Sequence, residues 1–282
     1  MSRLLLAALA AMTGVAACSL FVDTDGLAGG PRAGGDGGMD GARADVDVPR
    51  GDSSAPIDAG FDGRFCERFG ADALFCDDFD DPNRASPKLG WTRDDVNTGG
   101  TLSIVPARPA SNALQVEWDA NVGEPDGDCN YARLIKEIPV EVSRFTFGFD
   151  LFLGDEKGGA FYDDAVTNFI WRPSASSKYC QLFLSGLRGN PGLNDDSNER
   201  PLKAPMSAGV WHRVEISLDG TTQPAGVMIR IDGESAFREP SETLPAGCEG
   251  PMKVTLQHGL FCARKNPGAE RVLYDNVTFV GE

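Results

Sequence analysis

The stretch Trp211-His212-Arg213-Val214-Glu215-Ile216-Ser217-Leu218-Asp219-Gly220, followed by Val227-Met228-Ile229-Arg230-Ile231-Asp232-Gly233, decides the fold. Both halves alternate with period two, the pattern of a strand buried on one side. Val214, Ile216 and Leu218 share one face, and Val227, Ile229 and Ile231 share the matching face of the second half. Trp211, Arg213 and Glu215 point the other way, as do Met228 and Arg230. Asp219-Gly220 and Asp232-Gly233 end the two runs, because Asp and Gly tolerate the positive φ of tight turns. A strand pair with one apolar face needs a second sheet to cover it, so the pattern implies a β-sandwich.

Working outward, the same reading recurs. Phe145, Phe147, Phe149, Leu151 and Leu153 alternate in the cleanest run of the chain. Further strands are expected over 74–80, 102–105, 113–118, 131–138, 166–171, 179–184, 252–260 and 272–280. Short strands divided by Gly/Pro-rich turns, with no helical period, predict a large all-β fold, an antiparallel two-sheet sandwich. No internal repeat is visible, which argues against propellers and solenoids.

Upstream of residue 65 the composition changes. Residues 1–18 read as an export signal: Arg3, an apolar run from Leu4 to Ala11, then Val15-Ala16-Ala17-Cys18. The run is too short to span a membrane. Small residues before a cysteine resemble the bacterial lipobox, whose cysteine is lipidated. Cys18 is therefore the expected lipid anchor, and the alternative is an ordinary Ala-x-Ala cleavage beside an incidental cysteine. Ser19 follows it rather than Asp, so the expected location is the bacterial cell envelope, at the outer membrane or cell surface. Residues 19–64 are Gly, Asp, Ala and Pro with almost no large apolar side chain. Such a segment cannot offset its ordering entropy by burial and is expected to be a disordered tether. The folded domain is expected over 65–282.

The formal charge of −16 over 282 residues argues against nucleic acid, which needs a basic footprint. Acidic loops suit calcium, which takes oxygen ligands. Apart from Cys18 there are six cysteines, Cys66, Cys76, Cys129, Cys180, Cys248 and Cys262. An exported domain with an even count should be oxidised. Short loop closure suggests Cys66–Cys76 and Cys248–Cys262, leaving Cys129–Cys180. Zinc is disfavoured, since there is no Cys-x-x-Cys pair and the only histidines are His212 and His258.

Leu74-Phe75-Cys76-Asp77-Asp78-Phe79-Asp80, then Trp211-His212-Arg213-Val214-Glu215-Ile216 with Ile229-Arg230-Ile231-Asp232-Gly233, and finally Leu273-Tyr274-Asp275-Asn276-Val277, together resemble the concanavalin A-like lectin/glucanase superfamily, including its laminin-G-like jelly rolls. The resemblance implies a jelly roll of two curved sheets, a structural calcium and a concave face that binds glycans. Asp275 shares its expected strand face with Leu273, Val277 and Phe279, and a buried carboxylate needs a partner or an ion. Acids of the first and last strands approach each other in the resembled family, so Asp78, Asp80 and Asp275 are the expected calcium ligands. Asp126-Gly127-Asp128-Cys129-Asn130 superficially resembles an EF-hand loop, but Tyr131 stands where glycine is needed.

Glucanases of that superfamily place carboxylates on one strand face, flanking a glycosidic bond. Here Glu117-Trp118-Asp119-Ala120-Asn121 ends in an amide that cannot donate the proton. No Gly-x-Ser-x-Gly elbow is present. A polysaccharide lyase needs a charge neutraliser and a Tyr or His base, and Arg133, Tyr179, Gln181 and His258 are the candidates. His258 follows Val254 and Leu256 at period two, which reads as a core position. Sugar binding asks for aromatic faces with polar neighbours, and Trp171, Tyr179, Gln181, Trp211 and Arg213 are the expected ligand-binding set. The reading at this point is a cell-envelope lipoprotein carrying a non-catalytic carbohydrate-binding jelly roll, with a polysaccharide or glycan as partner and the membrane reached only through the lipid. Alternatives are a polysaccharide lyase or glycoside hydrolase of the same fold, and a structural or adhesion module without a sugar ligand.

Overall fold

The computed structural model describes residues 65–69, 72–84, 86–97, 99–109, 111–118, 130–154, 165–176, 178–185, 192–194, 199–203, 205–237, 242–263 and 270–282. The side chains of residues 130, 165, 194, 199, 262, 263 and 270 are not among those described. The signal, Cys18, the tether, the loop at 126–129 and Asp119 to Asn121 all lie outside the described residues.

A short 3-10 turn, Phe65–Arg68, precedes β1 (Ala73–Asp77), β2 (Arg93–Val96), β3 (Gly100–Arg108), β4 (Ser111–Trp118) and β5 (Asn130–Glu137). Then come β6 (Arg144–Leu153), β7 (Ala165–Pro173), β8 (Cys180–Ser185), β9 (Gly192–Asn194) and β10 (Glu199–Pro201). The chain ends with β11 (Trp211–Asp219), β12 (Gly226–Ile231), β13 (Glu234–Ser235), β14 (Glu242–Thr243), β15 (Met252–Ala263) and β16 (Glu270–Gly281). All described pairings are antiparallel, and they build two sheets. The larger runs β13-β12-β11-β6-β16-β4-β3, with β1 on β16 and β14 on β12; the smaller runs β10-β9-β8-β7-β15-β5-β2. This is the all-β two-sheet jelly-roll sandwich expected from the alternation.

The alternating runs became the strands of the larger sheet for the reason read from them. Val214, Ile216 and Leu218 of β11 lie in register with Phe149, Phe147 and Phe145 of β6, and all six are buried. Across the core, Phe169 of β7 meets Phe147 edge-on at 5.0 Å between ring centroids. Aromatic pairs of this kind bury large areas and prefer tilted geometry. Asp232 and Gly233 take φ of +54° and +84° in the turn between β12 and β13, as their residue types implied.

Two expectations need correction. β16 does not alternate throughout: register with β6 shifts between Asp275 and Thr278, and Asn276 has φ +51°. The extra residue is a β-bulge. It sends Val277 and Phe279 into the core while Asp275, in register with Asp150, lies on the opposite side of the sheet from them. The second correction concerns the disulfides. Cys66–Cys76 forms as expected, but Cys180 bonds Cys248, with 5.8 Å between their Cα atoms. That excludes both Cys248–Cys262 and Cys129–Cys180. Loop length misled because β7 sits between β8 and β15 and brings together cysteines 68 residues apart.

Candidate active site

The outer face of the smaller sheet is built by alternation on four neighbouring strands. On β5, Ala132 and Leu134 enter the core, so Tyr131 and Arg133 face outward. On β15, Val254 and Leu256 are buried in the core cluster, and Thr255 and Gln257 alternate with them. On β7, Phe169 and Trp171 belong to the core, leaving Asn168, Ile170 and Arg172 outside. Asp95 of β2 is in register with Arg133. Gly259 of β15 is in register with Arg133 too. At φ +140° a Cβ there would collide with the carbonyl oxygen of Ala132 and come within 2.7 Å of the Arg133 Cα. Only glycine lets β5 approach this closely.

These side chains form one hydrogen-bonded group. Arg133 Nη1 donates to Gln257 Oε1 at 3.0 Å, and its Nε and Nη2 donate to Asp95 Oδ2 at 3.1 and 2.7 Å. Asn168 Nδ2 donates to the same Gln257 oxygen at 3.2 Å. The guanidinium lies over the Tyr131 ring at 4.5 Å and near the Phe261 ring at 5.2 Å. Gln257 and Asn168 are 8% and 6% exposed, yet Asn168 Oδ1 has no hydrogen-bond partner. Buried polar atoms are nearly always paired, so this unpaired acceptor marks a place where a donor, such as a sugar hydroxyl, can complete the network. A guanidinium and carboxamide N–H groups are the donors that hold a carboxylate. A tyrosine hydroxyl beside them can accept or return a proton.

The expected ligand-binding residues are not one site. Tyr179, 64% exposed, and the half-buried Gln181 do lie on this outer face. Trp171 is 1% exposed in the core, and its Nε1 donates to the carbonyl of Cys248 at 3.1 Å, so no face of it can meet a sugar. Trp211 and Arg213 belong to the other sheet. His258, a lyase candidate, is fully buried. It sits 4.0 Å from the Tyr274 ring and 4.9 Å from that of Phe149. Burial lowers its pKa to about 3, so it is a neutral core ring out of reach of substrate. Asp95, Asn168 and Gln257 were missed because single polar residues in an alternating strand look like ordinary solvent-facing positions. The available signal was that Gln257 and Arg133 both occupy outward phases of long strands.

The outer face of the larger sheet holds a second polar cluster, in the bulge of β16. Asp150 accepts from Arg213 Nη1 at 3.3 Å, from Arg108 Nη2 at 2.9 Å and from Asn276 Nδ2 at 2.8 Å. Arg213 also donates to the carbonyl of Asn276 and to Thr278 Oγ1. Gly148 makes room for it, since a Cβ there would overlap the guanidinium. Arg108 lies 4.2 Å over the Trp211 ring and 3.7 Å from Asp275. Asp275 accepts from Ser111 Oγ at 3.2 Å and from its neighbour's backbone N–H. Burial is the main cause that raises its pKa to about 7; Arg108 opposes the rise, and Asp150 and Asp80 add to it.

Asp78, Asp80 and Asp275, the residues expected to hold calcium, are each engaged by donors of the protein itself. Asp78 accepts from the backbone N–H groups of Cys66 and Asp80, and Asp80 from that of Asn112. The cation beside Asp275 is a guanidinium. Among the described residues no three His, Cys, Asp or Glu side chains gather to hold a metal ion.

No protein-family model matches the chain, and no curated protein matches it in sequence. Solved structures do share its shape. An endo-β-1,4-glucuronan lyase from the fungus Trichoderma reesei aligns over 74% of this chain and 96% of its own, with a TM-score of 0.53 and 18% identity. An alginate lyase, Aly36B, covers 70% of this chain and 93% of its own at TM-score 0.48 and 12% identity. Another, from a Chlorella virus, covers 68% and 93% at TM-score 0.47 and 13% identity. The non-catalytic binding reading is thereby corrected, since the glucuronan lyase that this chain matches almost end to end is an enzyme. This chain shares the two-sheet jelly-roll fold of the glucuronan lyase.

Proposed function

We propose that the chain is a polysaccharide lyase that cleaves a uronate-containing polymer by β-elimination. The observation that carries this reading is the Arg133–Gln257–Asn168 group on the outer face of the smaller sheet, with Tyr131 against its guanidinium. The shared fold with a glucuronan lyase supports it. Arg133 and the two carboxamides bind the carboxylate at C6 of the uronate and withdraw its charge. The proton at C5 becomes more acidic, and Tyr131, reacting as its phenolate, takes it and becomes the neutral phenol. The C5–H electron pair forms the C4=C5 double bond as the C4–O bond breaks. The departing oxygen at C4 takes that proton back from the Tyr131 phenol, which restores the phenolate. Asp95 holds Arg133 in position through two hydrogen bonds to one oxygen. No water is consumed, which separates this chemistry from glycoside hydrolysis.

The test is ultraviolet absorbance of the unsaturated product on alginate and on glucuronan. Turnover that disappears in Tyr131→Phe and Arg133→Ala, with folding intact, is the expected result. No unsaturated product from either polymer, or full activity in Arg133→Ala, overturns it. The reading includes export and attachment to the bacterial envelope through a lipid on Cys18, which rests on Val15-Ala16-Ala17-Cys18. Cys18→Ser should release the protein from the membrane fraction or leave it unprocessed, and unchanged lipid labelling would remove that part.

A further inference from the structure

Arg172 of β7 and Lys253 of β15 are direct cross-strand neighbours. Both are exposed, and Lys253 alternates with the buried Met252 and Val254. Both therefore project from the same outer face as the Arg133 group. Among the described residues neither forms an ion pair, although the chain carries a formal charge of −16. The guanidinium of Arg172 lies 3.9 Å over the Tyr179 ring. That ring keeps its place while 64% exposed, the highest exposure of the large hydrophobic residues described.

The position of this pair follows from strand register. Asn168 is in register with Gln257, Ile170 with Thr255 and Arg172 with Lys253. The two cations are thus four residues along the same face from the catalytic group, about 13 Å at the rise of a β-strand. The row between them is Gln181, Ile170 and Thr255, joined by register. Glu137, in register with Thr255, has its charge taken up by Arg93 at 3.0 Å, and the exposed Glu141, next to Val142 in the antiparallel bridge to Met252, is the carboxylate nearest Lys253 in the strand order. Lys178, next to Tyr179, is occupied by the carbonyl of Ala246. The face therefore runs from a carboxylate-holding group, over a row of mild polarity, to two exposed cations, without an ion pair among the described residues, beside an aromatic ring. A polyanion with carboxylates at regular intervals fits that order of charges.

We propose that Arg172 and Lys253, with Tyr179 alongside, form a carboxylate-binding subsite that holds a uronate chain one or more sugar rings away from the Arg133 group. This rests on the lyase reading, and it makes the protein prefer chains long enough to reach both places. Exposed charges act through a screened field, so the subsite contributes affinity that falls with added salt.

The test uses the full chain with Tyr131→Phe, which keeps substrate intact, and calorimetric binding of disaccharides and hexasaccharides prepared from alginate and glucuronan. Adding Arg172→Gln and Lys253→Gln should weaken hexasaccharide binding by about tenfold, in the range of one or two lost charge-assisted contacts. Disaccharide binding should stay as it was, and the difference should shrink in high salt. The charge-keeping pair Arg172→Lys and Lys253→Arg should retain most of the affinity, with Tm unchanged in both. Equal hexasaccharide affinity with and without the two glutamines overturns the subsite, as does an equal loss for both ligand lengths. Turnover by the unmodified protein is read separately. A hexasaccharide-specific loss without any unsaturated product keeps the subsite and rejects the lyase; turnover without that loss does the reverse.

Discussion

The two sheets carry similar side chains on their outer faces and use them differently. On the larger sheet, Arg108 and Arg213 are bound to Asp150, Asn276 and Thr278, with Asp275 beside them, and aromatic rings of Trp211 and Phe65 lie against the guanidinium groups. Its charges are consumed within the protein. On the smaller sheet, Arg133 is positioned by Asp95, but Asn168 Oδ1 is unpaired, and Arg172 and Lys253 face solvent without ion-pair partners among the described residues. Residue type alone therefore does not mark a site. What marks it is polar capacity that the fold brings together and then does not use.

The largest effect that could break this comparison is loss of turnover in Arg133→Ala. Removing a donor that stabilises developing charge costs roughly 10²–10³-fold in kcat. Tm should hardly move, because the side chain is part-exposed. A large fall in Tm with little change in kcat would turn this face into a second structural cluster.

Arg213→Ala should do the opposite. Breaking a buried pair leaves a charge uncompensated, at a cost of about 3 kcal/mol. For a domain of this size that is roughly 6–12 °C in Tm. Turnover below the melting range should persist, measured by the same ultraviolet assay. An unshifted Tm with lost activity would move the functional face to the larger sheet.

Asp275 sharpens the comparison through pH. Its pKa is raised in the folded protein, to about 7 from an ordinary 3.8. The folded state thus binds the proton more tightly than the unfolded one, and the resulting stability is full below about pH 4. It is lost as pH rises through about 7, by an amount on the order of 4 kcal/mol. Asp275→Asn should therefore gain on the unmodified protein as pH increases across that window, in urea melts at a series of pH values. Parallel curves would mean that Arg108 already neutralises the carboxylate. His258 has the reverse sign: its depressed pKa gives stability present above about pH 6.5 and lost as pH falls toward 3.

The smallest effect expected is that of a chelator. With Arg108 beside Asp150 and Asp275, Tm should not shift on treatment with EDTA. A fall in Tm that calcium restores would show that the acids of the first and last strands gather around an ion after all.

Much of the architecture was legible in the residues. The alternation over Phe145 to Leu153 and Trp211 to Asp219 assigned each side chain to the core or the surface, because period two is imposed by the backbone of a single strand. The turn at Asp232-Gly233 was equally local. The bulge at Asp275-Asn276 was not, since a bulge exists only against a partner strand. Trp171 shares its strand face with Phe169, a core signal already in the sequence, whereas the disulfide partner of Cys180 depended on which strands are neighbours.

By itself, the sequence determined the class of fold, the phase of its strands and the shortage of histidine chemistry. Only the tertiary structure decided that Trp211 and Arg213 lie on a different sheet from Tyr179 and Gln181. It alone placed Gln257 and Asn168 beside Arg133, and Lys253 beside Arg172. Alternation is a property of one strand, whereas a site on a sheet is made across strands. Strand order and register, set by how the described strands bury their apolar faces together, are what bring its members within reach.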